Sequence, residues 1–281
     1  MLSFRFGTVG SPLQTPKKPG GSVGSILFLR ELGLDALELG WVQAVRVTPE
    51  TCAAINKTAA EQNVAISVHA PYFINLNANA EEWPKSRQRL MDAAHYGNLA
   101  GATDIIFHPG SYFEQDPSDV LKIAIPRLQN CLDELRAAGN PVTLRPETMG
   151  KSAMLGSLED TLEMGRAIPG IYPCLDFAHL HARPGNGSVN SYDEWSARLE
   201  LYGRVLGQTA LQQLHIHLSG IEYGPKGEKN HLPIAESDFD LAGLFRALHA
   251  FQAGGRILCE SPIMETDSLA MRAAWQEISG Q

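Results

Sequence analysis

Short runs in which apolar and polar residues alternate recur along the whole chain, each bounded by glycine, proline or charged residues. Eight of them read as β-strands: FRFGTVG at 4–10, LDALELGWV at 34–42, AISVHAP at 65–71, TDIIFHPGS at 103–111, PVTLRPET at 141–148, YPCLDFAH at 172–179, LQQLHIHLSG at 211–220 and GRILCESP at 255–262. Between them the apolar spacing changes to three and four, with helix formers, as in EEWPKSRQRLMDAAHYGNLAGA and in DLAGLFRALHAFQAGG, which stops on a Gly-Gly pair. Strand and helix alternating through the entire chain imply parallel strands joined by right-handed crossovers. Eight such units in about 250 residues close most economically into one (β/α)8 TIM barrel, here a single domain over residues 1–281. An open doubly wound sheet is the alternative, but no G-x-G-x-x-G loop follows the first strand.

Residues i and i+2 share a face of a strand, so each run can be divided into two faces. One face is apolar throughout, for example Ile66 and Val68, Ile105 and Phe107, or Leu214, Ile216 and Leu218. That face should pack on the helices. The other face then points into the barrel, and its last polar members are His69, His108, Glu147, Asp176, His217 and Glu260, all at the carboxyl ends of their strands. Three imidazoles and three carboxylates converging on one mouth would suffer desolvation and like-charge repulsion unless cations balance them. Neutral histidine plus carboxylate is the donor set of Zn²⁺, Mn²⁺ or Fe²⁺. His179, three residues after Asp176, and His231, in a long loop after the seventh strand, can reach the same mouth. His215 and His181 are candidates for donors to the ligating groups, Arg145 is expected to pair with an inward acid such as Glu38, and His95 and His249 fall within helices. Long segments at 10–22, 181–191 and 220–238 follow strands and belong to the face where barrel sites are built.

Composition changes this picture little. The 281 residues are 44% hydrophobic and 19% charged, an ordinary globular balance. There is no secretory-type N-terminal segment and no window of about 18 apolar residues, so a cytoplasmic protein without a membrane anchor is expected. Cys52, Cys131, Cys174 and Cys259 are widely spaced within apolar segments and suggest no disulfide framework. A net charge of −8 argues against a protein that coats nucleic acid nonspecifically.

With these residues in view, the chain resembles the endonuclease IV family of abasic-site endonucleases, a branch of the xylose-isomerase-like TIM barrels. The match runs over essentially the full length through SVHAPY, IIFHPGS, PETMGK, CLDFAHLHAR, HIHLSG, NHLPIAESD and LCESP, in the family's order. The resemblance implies a metal-dependent hydrolase that cuts the phosphodiester 5′ to an abasic site in double-stranded DNA and leaves a 3′-hydroxyl. It implies two or three metals, commonly zinc. His69, His108 and Glu147 would hold the first, Glu147 would bridge to a second on Asp176, His217 and Glu260, and His179 with His231 would hold a third. Glu147 and Glu260 would be the catalytic carboxylates. Three divalent ions would reduce the formal charge from −8 to −2, so acidity does not exclude DNA. Tyr72 and Phe73 would lie at the rim as a wedge entering the duplex, and Lys229 and Arg183, in strand-exit loops, could contact phosphates.

Two positions depart from the family's pattern. The usual Asp-x-His of the third metal is here Lys229-Asn230-His231, so that either Glu228 supplies the carboxylate from one residue further back or the third metal is weak or absent. The usual Asn-Asp after the seventh-strand histidine is Ser219-Gly220. The alternative function is a sugar isomerase or epimerase of the same superfamily, which would need only Glu147, Asp176, His217 and Glu260. A site at the barrel mouth needs no oligomer, and a monomer is expected.

Overall fold

The structure, a computed structural model, describes residues 4–280. Its strands in chain order are β1 (Phe4–Val9), β2 (Ala36–Gly40), β3 (Ala65–His69), β4 (Ala102–Phe107), β5 (Thr143–Pro146), β6 (Cys174–Asp176), β7 (Leu214–Leu218), β8 (Gly220–Gly224), β9 (Gly227–Leu232) and β10 (Gly255–Cys259). Eight of them form one parallel sheet in the order β5-β4-β3-β2-β1-β10-β7-β6, while β8 and β9 make a separate antiparallel hairpin. The two edges of the large sheet meet at a parallel bridge between Glu147 and Cys174. Thr148 reinforces this seam: its N–H donates to the Cys174 carbonyl (3.0 Å) and its hydroxyl oxygen accepts from the Asp176 N–H (2.9 Å). The result is a nearly closed TIM barrel, and all eight expected strands are present.

Helices α1 (Gly21–Glu31), α2 (Pro49–Gln62), α3 (Trp83–Leu99), α4 (Pro117–Ala137) and α5 (Leu158–Ala167) follow the first five strands. After β6 come a short α6 (Phe177–Ala182) and α7 (Tyr192–Leu206), and α8 (Leu241–Ala250) and α9 (Glu265–Ser279) complete the ring. Local signals set their starts. Thr48, Asp116 and Ser191 each accept a backbone N–H of the first turn, and Ser157 with Asp160 forms a reciprocal capping box. The outward strand faces, including Ile66, Val68, Ile105, Phe107, Leu144, Ile216 and Ile257, are fully buried against these helices and make the main core.

The inward faces are mostly polar, with Ile106 and Leu258 as apolar members, and lie in tiers. At the base Asp104 receives both Arg145 and Arg256, the latter at 3.0 Å. Arg145 also donates to the carbonyls of Pro173 (3.2 Å) and Gln213 (3.1 Å). Burial alone would raise the Asp104 carboxyl, and the two guanidiniums reverse this and hold it well below its usual range. The expected Arg145–Glu38 pair is therefore not formed. Arg145 sits opposite Ile106 in the β4–β5 register, two residues from Asp104 along the neighbouring strand, whereas Glu38 belongs to a higher tier. The segment at 220–238, expected as a loop, contains the β8–β9 hairpin.

Candidate metal centre

The uppermost tier holds the six strand-end residues. His69 closes β3 and donates through Nδ1 to the Ala70 carbonyl (2.9 Å), and its Nε2 lies 3.2 Å from Glu147 Oε2. His108, one residue past β4, brings its Nε2 to 3.3 Å from the same oxygen. The other oxygen of Glu147 lies 3.4 Å from His217 Nδ1, and Glu260 Oε1 is also 3.4 Å from that nitrogen. Asp176 ends β6 and caps α6: Oδ1 accepts the His179 N–H at 2.7 Å, while Oδ2 is buried without a hydrogen-bond partner. Glu147 thus stands between a His69–His108 group and an Asp176–His217–Glu260 group, and the potential ligand atoms within each group lie within 4.8 Å of one another.

A third group lies beside them. Because Asp176 initiates α6, His179 is carried on its first turn rather than on a loop. Its Nδ1 donates to the Thr148 carbonyl (2.9 Å) and its Nε2 faces His231 Nε2 at 3.3 Å and Glu228 Oε2 at 3.5 Å. His231 is on β9, and its Nδ1 donates to the Glu260 carbonyl (3.2 Å). The hairpin register explains how Glu228 comes to share this side. Asn230 pairs with Glu222 but Glu228 with Tyr223, so Lys229 is the extra residue of a bulge, and Glu228 takes the phase that simple alternation would give to position 229. Room for it depends on Gly150: a Cβ there would lie 2.8 Å from Glu228 Oε2 and 2.9 Å from His179 Cδ2.

These donors fit divalent cations. His179 and His231, each with its Nδ1–H engaged by a carbonyl, turn bare lone pairs toward each other, an arrangement that is favourable only with a positive species between them. Ligand atoms each about 2.1 Å from a tetrahedral Zn²⁺ lie about 3.4 Å apart. The separations across the three groups, from 3.2 to 3.5 Å, agree with that edge length. Charge balance points the same way. Burial disfavours protonated His179, yet Asp176, Glu147 and Glu228 push it up to about 9. Asp176, raised by burial first of all, stands at about 6. Glu147 would likewise be raised by burial, but His217 and its other imidazole neighbours hold it well below the usual carboxylate range. In each case the carboxylates demand positive charge, which bound cations would supply in place of protons.

The remaining sequence candidates divide. Tyr72 stacks on His108 (ring centroids 4.9 Å, 21° between planes) and meets His69 edge-on, while still 46% exposed. Phe73 is 59% exposed, with the Arg89 guanidinium 5.9 Å from its ring. Arg183 is committed internally, donating to the carbonyls of Met149, Lys151 and Met154 and to the Tyr112 hydroxyl, so it clamps the β5–α5 loop instead of presenting a free guanidinium. Lys229 is exposed but paired with Glu222 (3.0 Å). His181 is turned away from the ligand groups, between the Ser188 carbonyl and Asp238. Sequence reasoning did not single out Thr148, whose carbonyl orients His179, or Gly150. The PETMGK run contained both, without any periodicity to signal them.

A family model described as xylose isomerase-like TIM barrel matches residues 26–278. The chain belongs to the xylose isomerase-like TIM barrel family. It is 36% identical over 274 residues to an uncharacterised protein of Methanocaldococcus jannaschii, covering 97% of each. It is 26% identical over 222 residues to a probable endonuclease 4 of Staphylococcus carnosus, covering 75% of this chain and 71% of that one. Among solved structures, endonuclease IV of Thermus thermophilus superposes with a TM-score of 0.72 at 22% identity over 98% of both chains. A D-tagatose 3-epimerase-like protein gives 0.69 at 17% identity, covering 97% of this chain and 98% of that one. Among the described residues no helix is long and apolar enough to cross a membrane.

Proposed function

We propose that the protein is a metal-dependent endonuclease of DNA repair that hydrolyses the phosphodiester 5′ to an abasic site in double-stranded DNA, leaving a 3′-hydroxyl. The observation that carries this reading is the presence of three ligand groups rather than one. His69 and His108 on one side of Glu147, and His179 and His231 beside Asp176 on the other, with Glu228 3.5 Å from His179, extend the Glu147–Asp176–His217–Glu260 set into a row along the barrel mouth. When bound, two or three divalent ions, Zn²⁺ with Mn²⁺ or Fe²⁺ as alternatives, supply Lewis acidity and an activated water to a phosphodiester. Glu147 spans the first two groups with one oxygen toward each, and Glu260 holds the open side of the second, its side chain 13% exposed. Tyr72 roofs His69 and His108. With Phe73 and Phe113 it borders an adjoining cavity of about 850 Å³, where exposed aromatic faces suit unstacked bases.

The sugar isomerase or epimerase reading is favoured by one observation, the compact Glu147–Asp176–His217–Glu260 group, which is sufficient for a single metal. The two readings separate in one assay series. Protein loaded with zinc, manganese or iron(II) is offered a labelled duplex carrying one abasic analogue, and in parallel a panel of ketohexoses. Incision 5′ to the lesion without sugar turnover supports the nuclease, and the reverse pattern supports the epimerase.

A further inference from the structure

One tier below the ligand groups lies a carboxylate that the proposed function does not use. Glu38, on β2, is completely buried. Its Oε2 accepts from the Ser67 hydroxyl (2.7 Å) and from His215 Nε2 (2.8 Å). Its Oε1 lies 3.0 Å from His217 Nε2, neither of these two atoms makes a hydrogen bond of good geometry, and the Cys174 thiol lies close to His215 and His217. The contact is close but off the hydrogen-bond line, so charge holds it more than alignment does. On the opposite edge of the same ring, Nδ1 faces Glu147 and Glu260.

Ser67 and His215 both donate to Glu38, which calls for the ionised carboxylate, and the His217 nitrogen that faces its other oxygen is then the one to carry a proton. His215 Nε2 lies 2.8 Å from Glu38 Oε2, so its proton sits on Nε2 and points at the carboxylate. The base of the barrel offers Glu38 no direct partner, since Arg145 and Arg256 are taken by Asp104.

We propose that Glu38 is a positioning residue for the metal centre, fixing the proton of His217 on Nε2 and thereby presenting Nδ1 as the ligating lone pair toward Glu147 and Glu260. Ser67 and His215 in turn fix Glu38. A carboxylate on the far nitrogen of a ligating imidazole sets its tautomer and strengthens it as a donor, and loss of such a partner weakens metal binding about 10- to 100-fold. The proposal rests on the metal reading of the site and not on its substrate.

Glu38→Gln tests it without changing volume. The amide oxygen can still accept from Ser67 and His215, but the amide N–H₂ would then face His217 and favour the tautomer protonated on Nδ1. Full-length protein, stripped of metal by a chelator, is titrated with Zn²⁺ in competition with a chromophoric chelator. The ¹⁵N shifts of its histidines are recorded in the metal-free state. The wild type should bind at least two ions per chain. In Glu38→Gln one of these sites should weaken 10- to 100-fold while the others keep their affinity, and His217 should change tautomer. Ser67→Ala, which removes one donor but leaves the charge, should weaken the same site by less, and it serves as the test if Glu38→Gln does not fold. Unchanged Zn²⁺ affinity with an unchanged His217 tautomer in a folded Glu38→Gln, or unchanged affinity in Ser67→Ala where only that variant folds, would overturn the proposal. Failure of the wild type itself to bind stoichiometric Zn²⁺ would instead overturn the metal reading beneath it.

Discussion

Replacing Glu228 by alanine separates a three-ion centre from a two-ion one. The side chain is 19% exposed, against 5% for His179 and 1% for Glu147, so truncation admits water and leaves no dry cavity in the core. Its nearest cationic neighbour is His179, and it makes no contact with the His69–His108 group. The loss should therefore be confined to the third ion. An ion present at 100 times its Kd stabilises the folded state by about 2.7 kcal/mol. For a chain of 281 residues the unfolding entropy near Tm is about 0.6 kcal/mol/K, so that ion adds about 4–5 °C. Metal content by mass spectrometry should fall from three ions per chain to two, and the zinc-induced rise in Tm should shrink by about 4–5 °C, with the metal-free Tm measured alongside as reference. An unchanged ion count together with an unchanged zinc-induced rise would refute the bulge argument that brings Glu228 into phase with His231.

Three further expectations follow from the geometry. Tyr72→Ala, with metal content unchanged, should bind an abasic duplex about tenfold more weakly by fluorescence anisotropy; equal affinity would remove Tyr72 from the interface. Arg145→Met should destabilise the metal-free protein by about 3–5 kcal/mol in urea, because it breaks a buried pair and frees the Pro173 and Gln213 carbonyls; a loss below about 1 kcal/mol would show that Arg256 suffices for Asp104. The elevation of His179 to about 9 has a definite sign: its contribution is complete below the unfolded value of 6.5 and is lost as pH rises toward 9. Metal-free protein should lose stability across that window while zinc-loaded protein does not, and a flat urea midpoint in EDTA between these pH values would contradict the assignment.

The barrel was legible because its strands are buried on both sides in different ways. Helices cover Ile66, Val68, Ile105 and Phe107, while the other face alternates into polar residues, so a period of two survives in each strand. The same alternation separated the six strand-end residues from their neighbours. It failed where the backbone leaves the barrel. The hairpin GIEYG–GEKNHL is half exposed and rich in glycine and charge, which reads as a loop, and its bulge at Lys229 makes strict alternation choose the wrong residue. Pairings across the barrel interior were equally hidden. Whether Arg145 meets Glu38 or Asp104 depends on strand tilt and height, and the sequence of either strand alone contains neither. Arg183 looked available because its loop is polar, but nothing local signals that four acceptors converge on it.

The proposed activity is tested most directly by strand incision of a 5′-labelled duplex with one abasic analogue, by zinc-, manganese- and iron(II)-loaded wild type and Glu260→Gln, with EDTA and intact-duplex controls. A single product ending in a 3′-hydroxyl on the 5′ side of the lesion is expected, abolished by EDTA and reduced at least 100-fold in a folded Glu260→Gln. No incision by metal-loaded wild type, or near-normal incision by Glu260→Gln, would contradict it.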